Sequence, residues 1–453
     1  MTLSAEQVEE LRKLVDGRVI GPEDPDWDDE RGAWHLQLDQ RPAVVVHVTG
    51  ADDIVAAMRF ARRHGFVVSA QPSGHGATAA INGTVLLRTG ALTSIEVDLA
   101  AGVVRVGAGV RWRDLNAALV GTGMSSLPGS NGDTTVVGYA LGGGLSWFGR
   151  KYGQAANTVR AFQLVNAYGD EQRVTRESDP ELFWALRGGG GEFGIVVSVE
   201  MELVPAPQIY GGRMVWPVEQ VREVLRTFAE ITASAPDELT LWAWLMNLPD
   251  LPFIPEPLRG RWVTAIDAVY LGAEDEAEEL LAPLRAVGQP LDDGLAVVPL
   301  NAVTTIAQEP EEPTAGLLKA VLLKSFDEDV LEALLDVAAP GQPSPLFLYE
   351  IRHLGGAFAR SDASLGAAGS IDEPYLLLFG GILAVPELAG PIAVAIEGVQ
   401  AKLAPWISGR TLLNFSSGEP LAEVFTPEVR ERLRAVKRRV DPQAIIRGNH
   451  PID

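Results

Sequence analysis

The sequence predicts an α+β protein built as two units, and three observations carry that expectation. The chain has 453 residues, too many for one ordinary core. It opens with a strand–helix–strand pattern, which implies parallel pairing. Its texture changes after Pro205-Ala206-Pro207, where a glycine-rich first part gives way to helices alternating with β-rich segments.

The elements follow in order. Residues 4–16 read as an amphipathic helix with Ser4 as N-cap. Residues 43–49 (AVVVHVT) read as a strand, 51–65 as a helix closing on Gly65, and 66–70 as a second strand. Short strand signals occupy 85–107 (VLLRT, SIEVD, VVRVG), and 111–123 return to helix. Residues 158–175 look like a hairpin with Gly169-Asp170 at the turn. Residues 181–205 give a helix, a glycine run and a strand. Beyond 208, helical and β-rich stretches alternate at 217–234, 239–246, 262–271, 274–287, 328–338, 345–354 and 375–384. That pattern fits helices on one face of a sheet. The tail from 410 carries a helix at 427–439, and no repeat of solenoid period appears.

Composition narrows the function. Hydrophobic residues make up 47% and charged residues 21%, which is globular. A net charge of −23 repels phosphate backbones, so no nucleic-acid partner is expected. The first residues show neither a basic n-region nor an apolar h-region, and no apolar run reaches the roughly 18 residues of a membrane span. The expectation is a cytoplasmic protein, monomer or homodimer, acting on a small molecule. The absence of cysteine excludes disulfides, thiolate metal sites and thiol nucleophiles. Six histidines are scattered without ligand spacing, so no metal site is expected.

Three glycine tracts stand out: Gly74–Gly76, Gly129–Gly144 and Gly188–Gly194. Gly189, Gly191 and Gly194 match G-x-G-x-x-G, but a helix precedes them and a strand follows, the reverse of a Rossmann fingerprint. No Walker A sequence exists. Glycine lets backbone N–H groups approach a ligand, so several tracts together can cradle a pyrophosphate and a flat ring; tight turns are the alternative. His75 sits in Gln71-Pro72-Ser73-Gly74-His75-Gly76-Ala77-Thr78, flanked by glycines that leave its imidazole little shielded. A neutral imidazole is nucleophilic and can bond an electrophilic cofactor carbon.

SGHGAT (73–78), the strands around SIEVD and VVRVGAG, LPGSNGDTTVVGYALGGGLSWFGRKYG (127–153), LFWALRGGGGEFGIV (182–196), NFSSGEP (414–420) and RLRAVKRRVDPQAIIRGNHPI (432–452) carry a family resemblance. Together they resemble the berberine-bridge-enzyme-like FAD-linked oxidases of the vanillyl-alcohol oxidase/PCMH superfamily. The resemblance spans nearly the whole chain; within 208–405 it rests on layout and on EIRHLGGA (350–357). It implies a PCMH-type FAD-binding domain from 1–207, a substrate domain from 208–407 with an antiparallel sheet covered by helices, and a segment 408–453 returning to the first domain.

The resemblance further implies FAD bonded to His75. Relatives often carry a cysteine for a second bond; Asn131 stands there, so a single link is implied. Ser73, Gly74, Gly76, Ala77, Gly129, Ser130, Asn131, Thr134, Gly138, Gly142, Tyr152, Gly153, Gly194, Ile195, Val196, Asn414 and Asn449 would line the cofactor. The adenine would lie by the backbone of Ile195-Val196 and the pyrophosphate on the 72–78 loop. The implied reaction moves a hydride to FAD and then electrons to dioxygen, giving hydrogen peroxide. A dehydrogenase with another acceptor, a flavin-dependent cyclase or isomerase, and a flavin-binding protein without turnover are the alternatives.

The catalytic base departs from the family. The usual tyrosine after Asn414 is Phe415, and a preceding tyrosine position holds Leu412. Strand alternation puts Leu346, Leu348, Glu350 and Arg352 on one face, and Phe347, Tyr349, Ile351 and His353 on the other. Glu350 as base and Arg352 as anion clamp are the favoured substitutes, with a structural ion pair as the alternative. Tyr349, His353 and Tyr375 are further candidates. Trp242 and Trp244 suit stacking on an aromatic substrate or packing in a core.

Overall fold

The computed structural model describes residues 3–250, 254, 256–362 and 364–452. The first helix, Ala5–Leu14, starts in a capping box: Ser4 accepts from Gln7 N–H and the Gln7 side chain closes back on Ser4. A four-stranded sheet then runs in the order Arg18–Ile20, Val44–His47, Val85–Arg88, Val68–Ala70. The parallel pairing expected of the opening is present, but through a third strand. Val85–Arg88 lies between the two and pairs parallel with both. The intervening helix Ala51–His64 closes on Gly65, whose φ of 76° is left-handed.

A five-stranded antiparallel sheet follows, ordered Ile95–Asp98, Val103–Gly107, Ile195–Glu202, Val159–Val165, Glu171–Thr175. Its outer hairpin turns over 166–170, with Gly169 at φ 77°. The chain's end returns to the first sheet: Val68 N–H donates to Ile445 and Arg447 N–H donates to Val68.

Residues 210–382 build an eight-stranded antiparallel sheet. Its central strands are Trp262–Tyr270, Leu239–Asn247, Leu348–His353 and Tyr375–Ile382. Helices Val221–Thr232, Glu274–Ala286, Glu328–Ala338 and Ala389–Leu403 pack one face, burying Phe228, Leu281, Leu334, Tyr349 and Phe379 among others. The other face joins Trp242, Trp244 and Met246 to the core of the glycine-rich half. That division follows from the two-residue period of a strand.

Among the longer elements, three escaped the sequence reading, the strands Tyr210–Pro217 and Gly316–Leu323 and the helix Ala389–Leu403, as did short ones such as the strand Arg18–Ile20 and the helix Val136–Leu141. The helix Ala389–Leu403 carries its apolar residues around most of its circumference and includes Gly390, Pro391 and Gly398, so it lacks a clean stripe. Among the described residues no helix is long and apolar enough to cross a membrane.

Candidate active site

A cavity of about 1320 Å³ opens between the glycine-rich half and the bare face of the large sheet. A single drug-sized ligand needs roughly 300–1,000 Å³, so there is room for a large cofactor and a substrate together. Its lining divides into a glycine-rich part and a charged part on the large sheet.

The first glycine loop leaves the carboxyl end of strand Val68–Ala70, the usual ligand side of a parallel sheet. Gln71 N–H bonds Leu87 and Ala77 N–H bonds Gly74. The amides of Ser73, Gly74, His75, Gly76 and Thr78 meet no acceptor among the described residues. Such a run of free N–H groups is an anion cradle. Gly74 takes φ 89°, and a Cβ there would meet Trp34 N at 3.0 Å. At Gly76 and Gly191 a Cβ would meet nothing within 4 Å and would occupy the cavity itself.

His75 is held on three sides. Its ring stacks on Trp34 at 4.4 Å with a 23° tilt. His35 Nε2 donates to the His75 carbonyl at 2.8 Å. Nε2 of His75 lies 3.3 Å from Asp133 Oδ2. Burial opposes the charge on Asp133, but His75 and the nearby Arg111 and Arg113 outweigh it and hold the carboxyl below its ordinary range.

The second tract is clamped from the C-terminal segment. Gly144 N–H donates to Asn414 Oδ1 at 2.7 Å, and Asn414 Nδ2 donates to Tyr139 O at 3.2 Å. A Cβ on Gly142 would strike Asn414 at 2.4 Å. Thr78 donates to Asn449 O at 2.5 Å, while Asn449 Oδ1 is buried without a partner.

The charged part centres on Arg352. It pairs with Glu350 at 2.7 Å and Glu309 at 3.0 Å and lies 3.8 Å over the Trp242 ring. Burial pushes the Glu350 carboxyl up to about 7, with Arg352 pulling against it. Beside this pair, Arg213 grips Asp267 through two hydrogen bonds of 2.5 and 2.7 Å, and Trp244 Nε1 donates to Asp267 at 2.7 Å.

Of the residues expected at the cofactor, Ser73, Gly74, His75, Gly76, Ala77, Gly129, Ser130, Asn131, Thr134, Gly138, Gly142, Gly194, Val196, Asn414 and Asn449 line this cavity. Tyr152, Gly153 and Ile195 do not. The Tyr152 hydroxyl donates to Pro205 O, Gly153 ends the short helix Gly149–Tyr152, and the Ile195 side chain packs into the first sheet's core. Glu350, Arg352 and Trp244 face the cavity as alternation requires. Tyr349, His353 and Tyr375 face the helices instead. Tyr349 stacks on Phe379, His353 meets Arg150 at 2.8 Å, and Tyr375 bonds Thr232. Trp242 is sandwiched between Trp147, 3.5 Å away, and Arg352, so it packs rather than stacking on a ligand.

Sequence reasoning missed Trp34, Asp133, Tyr139 and Glu309. Glu309 reaches the site from the segment after 305, where Ser130 donates to it at 2.5 Å and Asn131 Nδ2 bonds Pro310 O at 2.9 Å. The Tyr139 hydroxyl is buried without a partner, and burial raises its pKa well above the ordinary value, so it keeps its proton. Asp133 alone carried a signal, lying in GSNGDTT beside Asn131. Among the described residues no cluster of His, Asp and Glu could hold a metal.

An amide-lined glycine cradle, a large cavity and an acid–arginine pair on a facing sheet define an FAD-linked oxidoreductase. Comparisons agree. Residues 42–175 match the FAD binding domain family. The chain is 30% identical over 474 residues to (R)-6-hydroxynicotine oxidase of Paenarthrobacter nicotinovorans, covering 97% of each. It superposes on 6-hydroxy-D-nicotine oxidase from Arthrobacter nicotinovorans with TM-score 0.84 at 26% identity, over 97% of this chain and 98% of that one. A variant of Physcomitrella patens BBE-like 1 shares the fold, with TM-score 0.85 at 16% identity over 98% of this chain and 99% of that one. The chain belongs to the berberine-bridge-enzyme-like FAD-linked oxidases of the vanillyl-alcohol oxidase/PCMH superfamily.

The residues fit FAD. The free amides of the 73–78 loop suit a pyrophosphate, the open space over Gly76 and Gly191 admits a ligand, and Asn449 Oδ1 awaits a donor.

Proposed function

We propose that this chain is an oxidase that carries FAD on His75 and takes a hydride from the carbon beside a hydroxyl or amine of a small, partly apolar molecule. One observation carries the reading: a single cavity joins the His75 loop, with its free amides, to the Glu350–Arg352–Trp244 face. The bound flavin supplies the redox chemistry, accepting the hydride and passing electrons to dioxygen with release of hydrogen peroxide.

The chain's own groups do the rest. Glu350 takes the proton from the substrate O–H or N–H, and its raised pKa of about 7 places it near operating pH. Arg352 steadies the negative charge that forms beside it. Trp244, Met246, Leu248, Val263 and Phe347 offer an apolar wall. The name of the 30%-identical relative, a hydroxynicotine oxidase, supports oxidase chemistry on a small molecule. The same reading divides the chain into an FAD-binding domain (1–207 with 408–453) and a substrate domain (208–407).

Acid precipitation of the purified protein tests the link: yellow colour staying in the pellet is expected, and His75→Ala should release it. A colourless pellet from yellow protein refutes the bond. A substrate screen that follows peroxide tests the acceptor, and turnover without peroxide would overturn the oxidase.

A further inference from the structure

A second cavity, of about 480 Å³, shares no lining residue with the first and lies between the helix Pro180–Leu186, the residues 361–362 and 365–372, and the residues 424–432. Four arginines line it: Arg176, Arg187, Arg410 and Arg432. Two are neutralised, Arg410 by Glu373 at 3.3 Å and Arg432 by Glu181 at 2.8 Å. The lining aspartates hydrogen-bond locally, Asp362 to Ser364 N–H at 2.5 Å and Asp372 to Ser370 at 3.3 Å, and Asp362 also feels the charge of Arg176.

Arg187 is different. It is 3% exposed, yet it has no carboxylate partner among the described residues. One Nη2 bond to Ser364 O at 2.7 Å and the Phe183 ring at 4.5 Å are its partners, and its Nε is buried with none. Arg176 donates to the same Ser364 carbonyl at 3.1 Å. Two guanidinium groups thus converge on one oxygen. Burial first, and the like charge of Arg176 second, push the Arg187 pKa down to about 10. A buried charge is costly unless paired, and arginine's planar fork suits an oxyanion.

We infer that this cavity is a binding site for a small oxyanion, a phosphate or a carboxylate, held between Arg187 and Arg176. The site is separate from the FAD reading and stands without it. Gly188 follows Arg187, and a Cβ there would meet Ala368 at 2.3 Å, so a bound anion would tie the 361–369 segment to the glycine run.

Calorimetric titration of the FAD-loaded protein with inorganic phosphate, and separately with succinate, tests it, and the two arms tell the sources apart. Saturable millimolar binding of at least one is expected. Arg176→Gln, at an exposed position, should weaken it roughly tenfold, the loss of one charge-assisted contact. Hydrogen exchange should slow at 176–187 and 361–369 when the anion is added. The retained flavin of the variant confirms its fold, and Arg176→Lys should recover part of the affinity. No binding of either anion, binding unchanged in Arg176→Gln, or protection confined to other segments would each overturn the site.

Discussion

Asp133 fixes the tautomer of His75. The carboxylate lies 3.3 Å from Nε2 and is held ionised by Arg111 and Arg113 as well as by the imidazole. An ionised carboxylate only accepts, so in the neutral ring Nε2 carries the proton and Nδ1 keeps its lone pair. Nδ1 has no partner among the described residues. On the proposed link, Asp133 would leave Nδ1 as the bonding nitrogen and position it. The expected outcome is that Asp133→Ala still takes up FAD but incorporates it covalently at least tenfold more slowly, with Asp133→Glu recovering much of the rate. Fluorescence of acid-denatured protein on a gel, sampled over time after adding FAD to apoprotein, reads this directly. Covalent incorporation at the parent rate in Asp133→Ala would remove the role, whereas a parent protein that never bonds flavin would remove the link itself.

With Glu350 as the proposed base, its ionisation would set the acid limb of the reaction. Burial raises its carboxyl from the ordinary 4.5 to about 7, and only the ionised form accepts a proton. Activity under kcat/KM conditions should therefore climb with pH through about 7. Glu350→Gln should lose roughly 10²–10⁴-fold in rate and flatten that limb. Arg352→Gln removes the cation that favours ionisation, so its limb should move to higher pH. The linkage has a stability side. Because the folded form binds this proton more tightly, the stabilisation is full below about 4.5 and is lost as pH rises through about 7. A Glu350→Gln enzyme with the parent's rate and limb would exclude Glu350 as the base.

The sequence made the glycine-rich half legible and the half with the large sheet only in outline. Glycines at fixed places, such as Gly74 at φ 89° and Gly142 under Asn414, are dictated by backbone and so are written locally. The face of Glu350 and Arg352 followed from strand alternation, and the same rule placed Tyr349 and His353 against the helices. What stayed hidden depends on distant segments meeting. Glu309 faces Arg352 only because the chain after 305 lines the cavity, and the pairing of Arg213 with Asp267 needs two neighbouring strands in register. Tyr152 and Gly153 sit in the glycine-rich motif but outside the cavity lining, the Tyr152 hydroxyl ending on Pro205.

Gly76 separates ligand binding from folding. A Cβ there meets no protein atom within 4 Å and needs no left-handed backbone. Gly76→Ala should leave the apoprotein as stable as the parent, or more stable by up to about 1 kcal/mol, because the unfolded chain loses freedom. The added methyl enters the cradle, so FAD affinity should fall roughly tenfold or more. Gly142→Ala is the contrast: its Cβ would strike Asn414 at 2.4 Å, and the apoprotein itself should be destabilised. Melting temperatures of both apoproteins, with FAD titrations, separate the two cases. A Gly76→Ala protein that binds FAD like the parent would place the cofactor elsewhere.

Arg213 is expected to be worth more to folding than to binding. It is 7% exposed and Asp267 is fully buried, with both carboxylate oxygens taken by the guanidinium and one also by Trp244. Burial raises the Asp267 pKa, and Arg213 is the main force opposing that rise. Arg213→Ala would leave a carboxylate inside the sheet with only Trp244 as a donor, a loss of about 3–5 kcal/mol. The deficit should depend on pH with a definite sign. Without Arg213 the folded pKa of Asp267 climbs further above its unfolded value, so ionisation costs the fold most at high pH. Acidification protonates the buried carboxyl and should recover part of the loss. Urea unfolding of parent and variant at pH about 8 and about 5 measures it: a deficit that is small, or that grows on acidification, would show that water or another cation compensates Asp267 in the cavity.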